Sequence, residues 1–339
     1  MTALLQDAVS TLRAAGEDTR LRILALVRSV ELTVSDLTAI LGQSQPRVSR
    51  HLRILTDAGL LERYREGAWV FYRPPSRSAS GAVAAVEAMV EALRRASDSD
   101  LTRDLERLEH IRAERAAVAA AYFERNAADW DALRRMHLPE RDIEATMREM
   151  IGAEPVETFV DLGAGTGRMM ELFGDLYREG VGYDLSRDML RLARSKLETA
   201  GVAHAQVRQA DILAAPYPSG RADIVCIHQV LHFLDDPGAA IVEAARLASE
   251  EGRVLIVDFA PHDHEFLREE HAHRRLGFSD ADMRRLCARA GLSIVRIETL
   301  APADDAAAAL AVKIWLAERA RPGAGEPQDR AEPALGDLQ

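Results

Sequence analysis

"FVDLGAGTGR" occupies residues 159–168. Its first half is a short apolar run holding one acid, Asp161. Its second half is a glycine turn, Gly163-x-Gly165-x-Gly167, with Ala164 inside it. An apolar run that breaks into spaced glycines reads as a buried strand entering a sharp turn. Glycine is needed where the backbone must bend tightly and lie against a ligand. The dinucleotide fingerprint G-x-G-x-x-G is one residue longer at its last spacing. That difference disfavours a nicotinamide-binding domain.

The pattern continues toward the C-terminus. "GVGYDLS" is a second strand ending in Asp184, where an acid can accept hydrogen bonds from both hydroxyls of a ribose. "RQADILAAPYP" places Asp211 at the end of a third strand. "ADIVCIHQVLHFL" opens a fourth at Asp223 and closes it near His228. "GRVLIVDF", "LSIVRIETL" and "AVKIWLAE" follow, with helical patterns between most of the strands. From Val156 to about Glu318 this alternation predicts an α/β domain with a parallel or mostly parallel sheet. Open sheets of that kind bind ligands at the C-terminal strand ends. Singly, each acid is as readily a helix or turn cap; four features in order are not.

"DLGAGTG", "GYDLS", "QADI" and "IVCIHQVLHFLDDP" together make residues 120–318 resemble class I S-adenosylmethionine-dependent methyltransferases. The resemblance implies a Rossmann-like fold and a role for each motif. Asp161 would lie near the methionine amino group, and the loop of Gly163, Ala164, Gly165 and Gly167 would cradle the cofactor. Asp184, followed by Leu185, would take the ribose, and Asp211 the adenine amine. Ile212 and Met189 would flank the adenine ring, and His228 would line the methionine end. "AYFERNAADWDALR" (121–134) resembles a lid, so Tyr122, Phe123 and Trp130 would close over the cofactor. Ordinary helix packing explains that stretch equally well.

The N-terminal module reads differently. "DTRLRILALVRSV" is an amphipathic helix. "TVSDLTAILG" is a second helix that Thr33 or Ser35 can cap and Gly42 ends. "QSQPRVSRHLRILTDAGL" is a third: Ser44 stands at the N-cap and Pro46 in the first turn, where its missing N–H costs little. Val48, Leu52 and Leu55 point inward, leaving Gln45, Arg47, Ser49, Arg50 and His51 outside. "LLERYREGAWVFYRP" reads as a hairpin around Glu66-Gly67 with Arg63, Arg65 and Arg73 exposed. Helix, turn, polar helix and basic hairpin form a winged helix-turn-helix. Its second motif helix would read base edges in the major groove, while hairpin arginines would touch phosphates.

Residues 10–75 are similar to the arsenic-repressor (ArsR/SmtB-type) winged helix, most closely in "QSQPRVSRHLRIL". The resemblance implies a homodimer on palindromic double-stranded operator DNA. Many such repressors sense metal through a Cys-x-Cys on the first motif helix, or through Asp/His pairs on the final helix. Here Thr33 and Ser35 stand where the thiols would be, and hydroxyls are poor ligands for a soft metal. In the helices expected after the hairpin, 76–120, only His110 is available. No metal site is expected there.

The fold class predicted is therefore an N-terminal α+β winged helix-turn-helix (1–75), joined by linker and dimerisation helices (76–120) to a Rossmann-like methyltransferase domain (121–320). "RPPSRSASG" (73–81) reads as a linker, and the Pro/Gly-rich tail 321–339 as disordered. The formal net charge is −11, yet residues 1–80 hold 11 Arg against 8 acids. No apolar run approaches the roughly 20 residues that span a bilayer. The N-terminus lacks a secretory core. A cytoplasmic protein without membrane partners is expected. Two cysteines, Cys226 and Cys287, exclude a disulfide framework. They also exclude the multi-cysteine site of arsenic methyltransferases.

One segment stays open. "DFAPHDHEFLREEHAHRRLGF" (258–278) carries His262, His264, His271 and His273. It reads as a polar lid helix, a substrate or signalling pocket, or a metal site. His-x-His pairs on a helix face apart, which weakens the last. The fused layout resembles bacterial S-adenosylhomocysteine-responsive regulators of methionine-cycle genes. It implies S-adenosylmethionine or S-adenosylhomocysteine as effector. An active methyltransferase on a small-molecule acceptor is the alternative, because methyl transfer needs chiefly proximity and orientation.

Overall fold

The computed structural model describes residues 3–28, 30–75, 81–96, 98–127, 130, 140–301 and 310–320. Most of the expected linker, 76–80, and the whole tail, 321–339, lie outside them.

The N-terminal half begins with α1 (Ala3–Ala15), α2 (Asp18–Val27), the short β1 (Leu32–Thr33) and α3 (Val34–Leu41). Thr33, rather than Ser35, caps α3. Its hydroxyl accepts the Asp36 N–H at 3.2 Å while the Asp36 carboxylate accepts the Thr33 N–H at 3.0 Å. This reciprocal box satisfies two helix-end donors. Gly42 closes α3 at φ 63°. Next comes α4 (Gln45–Asp57), with Val48, Leu52 and Leu55 fully buried. Ser44 sits at its N-cap, but its side chain makes no capping bond, contrary to expectation.

β2 (Glu62–Glu66) and β3 (Trp69–Arg73) pair antiparallel with Glu66 opposite Trp69. The turn is therefore Gly67-Ala68, one residue beyond the one expected. β1 adds to β3, giving the order β1-β3-β2.

Two helices follow, α5 (Gly81–Arg95) and the 28-residue α6 (Ser99–Asn126). At 1.5 Å per residue α6 is roughly 42 Å long. Asp98 caps it, accepting the N–H groups of Asp100 and Leu101. Its first turns belong to the N-terminal core through Leu101 and Leu108. Asp104 on the same face is fully buried and holds Arg22 through two bonds of 2.6 and 2.7 Å. The helix runs unbroken past residue 120, where the sequence suggested a domain boundary.

The C-terminal half contains α7 (Glu140–Ile151), β4 (Val156–Leu162), α8 (Arg168–Leu172), β5 (Tyr177–Asp184), α9 (Arg187–Thr199), β6 (Ala205–Gln209) and β7 (Ala222–His228). A short 3-10 turn (Leu231–Phe233) leads to α10 (Pro237–Leu247), β8 (Ala248–Phe259), α11 (Phe266–Glu270), α12 (Asp280–Arg289), β9 (Leu292–Leu300) and β10 (Val312–Arg319). The sheet order is β6-β5-β4-β7-β8-β10-β9. Strands β6 to β8 are parallel, and β10 runs antiparallel between β8 and β9. Both faces are covered, as a parallel sheet requires. Phe159 and Tyr177 pack on one side, Val160 and Tyr183 on the other.

Cys226 and Cys287 are buried. Burial pushes the first thiol well up and the second to about 12, so both are inert apolar groups at neutral pH. Segment 258–278 is not one continuous lid helix, one of the three readings open for it: only Phe266–Glu270 is helical, and all four histidines lie outside it.

Candidate functional site

A cavity of about 390 Å³ opens at the C-terminal ends of β4, β5 and β7. The strand-end residues expected from sequence converge on it. Asp161 and His228 lie at the floor, with Gly163, Ala164 and Gly165 as the turn between. Asp184, Leu185, Met189, Asp211 and Ile212 continue the wall to one end.

The turn is built by hydrogen bonds to neighbouring strands. Gly163 and Ala164 donate to the Tyr183 carbonyl at 2.8 and 2.9 Å. Asp184 accepts the Gly165 N–H at 2.9 Å and the Ser186 N–H at 2.8 Å. It thus stiffens the loop, and each oxygen keeps a lone pair for a ligand hydroxyl. Burial raises its carboxyl, opposed by those N–H groups. A Cβ at Gly163, where φ is 85°, would lie 2.8 Å from Val230. Only glycine fits that approach.

Two expected residues are placed elsewhere. Gly167 does not line the cavity. It begins α8 at φ 81°, and a Cβ there would lie 3.1 Å from Ala193, so its role is to let α8 pack on α9. Tyr122 stands behind the wall, its hydroxyl 2.7 Å from His271 Nδ1. Phe123 and Trp130 do line the cavity, with ring centroids 5.2 Å apart. Phe233 completes this aromatic edge at 4.7 Å from Phe123. Gln229, unsuspected from sequence, borders the cavity at φ 52°. Strained backbone of this kind concentrates at functional sites.

The largest surprise is the opposite wall, which is α6. Ala113, Ala116 and Ala120 recur at one helix face and turn their methyl groups to the cavity. The alanine-rich stretch 113–121 falls largely within the helices 76–120 expected to carry dimerisation.

Beside them, Arg115 bonds the carboxylate of Asp36 on α3 and reaches Asp235, another cavity residue, at 3.3 Å. Asp235 also accepts Arg274 at 2.7 Å. One side chain on the cavity wall therefore grips the helix-turn-helix.

The residues fit an adenosyl nucleoside with an amino-acid tail. The carboxylates of Asp184 and Asp211, apolar Met189 and Ile212, and the glycine turn all border the one space. S-adenosylmethionine, when bound, would supply an electrophilic methyl group.

In the winged helix-turn-helix, Gln45, Arg47, Ser49 and Arg50 are exposed on α4, as are Arg63 and Arg65 on β2. His51 is half-buried, 3.5 Å from Glu17, and burial lowers its pKa. Arg73 is not exposed as expected. It pairs with Asp282 at 2.6 Å and Glu62 at 3.3 Å. Among the described residues no group of three His, Cys, Asp or Glu side chains could hold a metal ion. Among them too, no helix is long and apolar enough to cross a membrane.

Residues 17–63 match the family model described as bacterial regulatory protein, arsR family, and residues 160–256 the one described as methyltransferase domain. An uncharacterized methyltransferase of Bacillus subtilis, YcgJ, is 31% identical over 105 residues, which are 31% of this chain and 42% of that protein. A ubiquinone/menaquinone biosynthesis C-methyltransferase, UbiE, of Shewanella sp. strain ANA-3 is 32% identical over 125 residues, 36% of this chain and 50% of that protein. The chain thus spans about half the length of the curated relatives it matches. Among solved structures, a complex of the Haloferax volcanii Trm112 methyltransferase activator with a methyltransferase matches at TM-score 0.50 and 20% identity. It covers 59% of this chain and 98% of that one. At that identity the likeness concerns the fold alone. The chain is a helix-turn-helix protein carrying a methyltransferase domain. Its helix-turn-helix is of the arsR family, fused upstream of a Rossmann-like methyltransferase fold.

Proposed function

We propose that the chain is a transcriptional regulator that binds operator DNA as a homodimer and uses its methyltransferase domain as a sensor. The effector is S-adenosylmethionine or S-adenosylhomocysteine, which suits control of methionine-cycle genes. One observation carries this reading: α6 is both a wall of the nucleoside cavity and a buried member of the helix-turn-helix core. Asp104 and Arg115 fix it to the DNA-binding half, while Ala116 and Phe123 face the ligand space. A ligand that shifts α6 must strain those ion pairs or move α3 with it. Coupling follows if the ligand has unequal affinity for two arrangements of the dimer.

The test is calorimetry of the full chain with each nucleoside, then operator binding with each at saturation. Unchanged DNA affinity with both defeats the sensor reading.

A second reading, an active small-molecule methyltransferase, draws support from the aromatic recess of Phe123, Trp130 and Phe233 beside the glycine turn. Product formation separates it from the first; Asp184 variants do not, since both readings need the nucleoside.

A further inference from the structure

The β2–β3 hairpin has two faces, and its own domain covers only one. Tyr72 and Val70 pack into the N-terminal core. Tyr64, Glu66, Trp69 and Phe71 face the C-terminal domain. The guanidinium groups of Arg268 and Arg274 lie over the Trp69 ring, 4.2 and 4.9 Å from its centroid. Phe71 is fully buried, stacked on Tyr64 and 4.6 Å from Arg275.

Glu66 accepts Arg268 at 2.7 Å and the Leu276 N–H at 2.8 Å. At the tip Ala68 donates to Glu265 at 2.5 Å, and a Cβ at Gly67 would lie 1.8 Å from that carboxylate. Gly67 also lies at φ 58°, in the left-handed region that favours glycine. Deeper in, Arg275 binds Glu31 at 2.7 Å and the Tyr64 hydroxyl. Burial alone would raise the Glu31 carboxyl, but Arg275 and Arg285 outweigh it and hold it low.

Two arginines of the hairpin take no part in this dock. Arg63 and Arg65 alternate with Glu62, Tyr64 and Glu66 along β2 and remain exposed. A two-stranded hairpin is marginal in water without support on its faces. We infer that residues 265–285 are a splint that fixes the hairpin in the pose presenting Arg63 and Arg65 to DNA phosphates. The C-terminal domain thereby contributes to DNA affinity without touching DNA. This rests on the DNA-binding reading above and adds its output element.

The splint's other side backs the cavity. His271 holds Tyr122, and His273 lies 5.1 Å from Phe233 in the cavity wall. Contacts are therefore contiguous from the cavity to the hairpin, a route along which coupling can travel.

The test is a double-mutant cycle on the full chain. The probe is a DNA duplex that the protein itself selects from a random-sequence pool. Glu66→Lys makes the hairpin more basic, so plain phosphate attraction would tighten binding; loss of the splint weakens it instead, by about tenfold. In the intact chain Arg63→Ala with Arg65→Ala weakens binding by about tenfold, and in the Glu66→Lys background it changes nothing further. Equal losses in both backgrounds, tighter binding by Glu66→Lys, or no effect of the arginines in a chain that does bind DNA each overturn the splint. Failure of the intact chain to select any duplex instead overturns the DNA-binding reading beneath it. Should Glu66→Lys not fold, Arg268→Gln carries the same cycle, since Arg268 lies outside the DNA-binding domain.

Discussion

Arg115, on the wall of the cavity at the strand ends, forms an ion pair with Asp36, the residue that completes the capping box of α3. The pair joins the cavity wall to the helix-turn-helix through one guanidinium, which also reaches Asp235, another cavity residue. Replacing Arg115 by Met keeps the stem and removes the fork. Nucleoside affinity is expected to change little. The change in DNA affinity on adding nucleoside should fall from the roughly 5- to 150-fold usual for coupled sites to nearly none. Calorimetry and DNA titration on the same preparation read both quantities.

Asp184 has a double duty that its substitution exposes. Its oxygens hold the N–H groups of Gly165 and Ser186 and face the cavity. Asp184→Ala removes a charged acceptor, an interaction worth roughly 1.5–3 kcal/mol. Nucleoside affinity should fall tenfold to a hundredfold. Calorimetry checks this, and a thermal melt separates ligand loss from unfolding.

Ala116 tests the wall from the other side. Its exposed methyl group faces the cavity. Ala116→Leu adds volume there without entering either hydrophobic core, so stability should change by less than about 1 kcal/mol. Nucleoside binding should be blocked. Retention of full affinity would mean that α6 stands clear of the ligand.

Asp104 is the anchor at the helix's other end, fully buried and doubly bonded to Arg22. Asp104→Asn leaves a largely buried guanidinium without its counter-charge, at a cost of about 3 kcal/mol. Denaturant unfolding of the N-terminal half reads this directly.

His262 sets a pH dependence. Burial first, and then the charges of His264 and His232, lower its pKa from 6.5 to about 4. Its Nδ1 accepts the His264 N–H, which favours the neutral ring. Between those two values the unfolded chain binds the extra proton, so stability is whole above pH 6.5 and drains away as pH falls toward about 4. His262→Asn should flatten the drop in melting temperature between about pH 7 and about pH 5.

The sequence made the two modules legible because their signals are local. Glycines and strand-end acids mark the turn at residues 163–167, and buried Val48, Leu52 and Leu55 mark the recognition helix by spacing alone. What stayed hidden depends on contacts between distant segments. Gly167 looks like its neighbouring glycines until Ala193 is seen against it. Arg73 looks like any wing arginine until Asp282 meets it, 209 residues away. The alanines of α6 advertise a close approach but not what approaches. Gln229 left no trace, because a strained φ in a non-glycine residue has no sequence signature.

The link between ligand and DNA is tested most directly by fluorescence anisotropy of the self-selected duplex, titrated with the full chain. The titrations are run alone, with S-adenosylmethionine and with S-adenosylhomocysteine, each at a concentration that calorimetry shows to be saturating. A shift of fivefold or more with at least one nucleoside, abolished by Arg115→Met, is the expected result. Superimposable curves under all three conditions, with nucleoside bound, would contradict it.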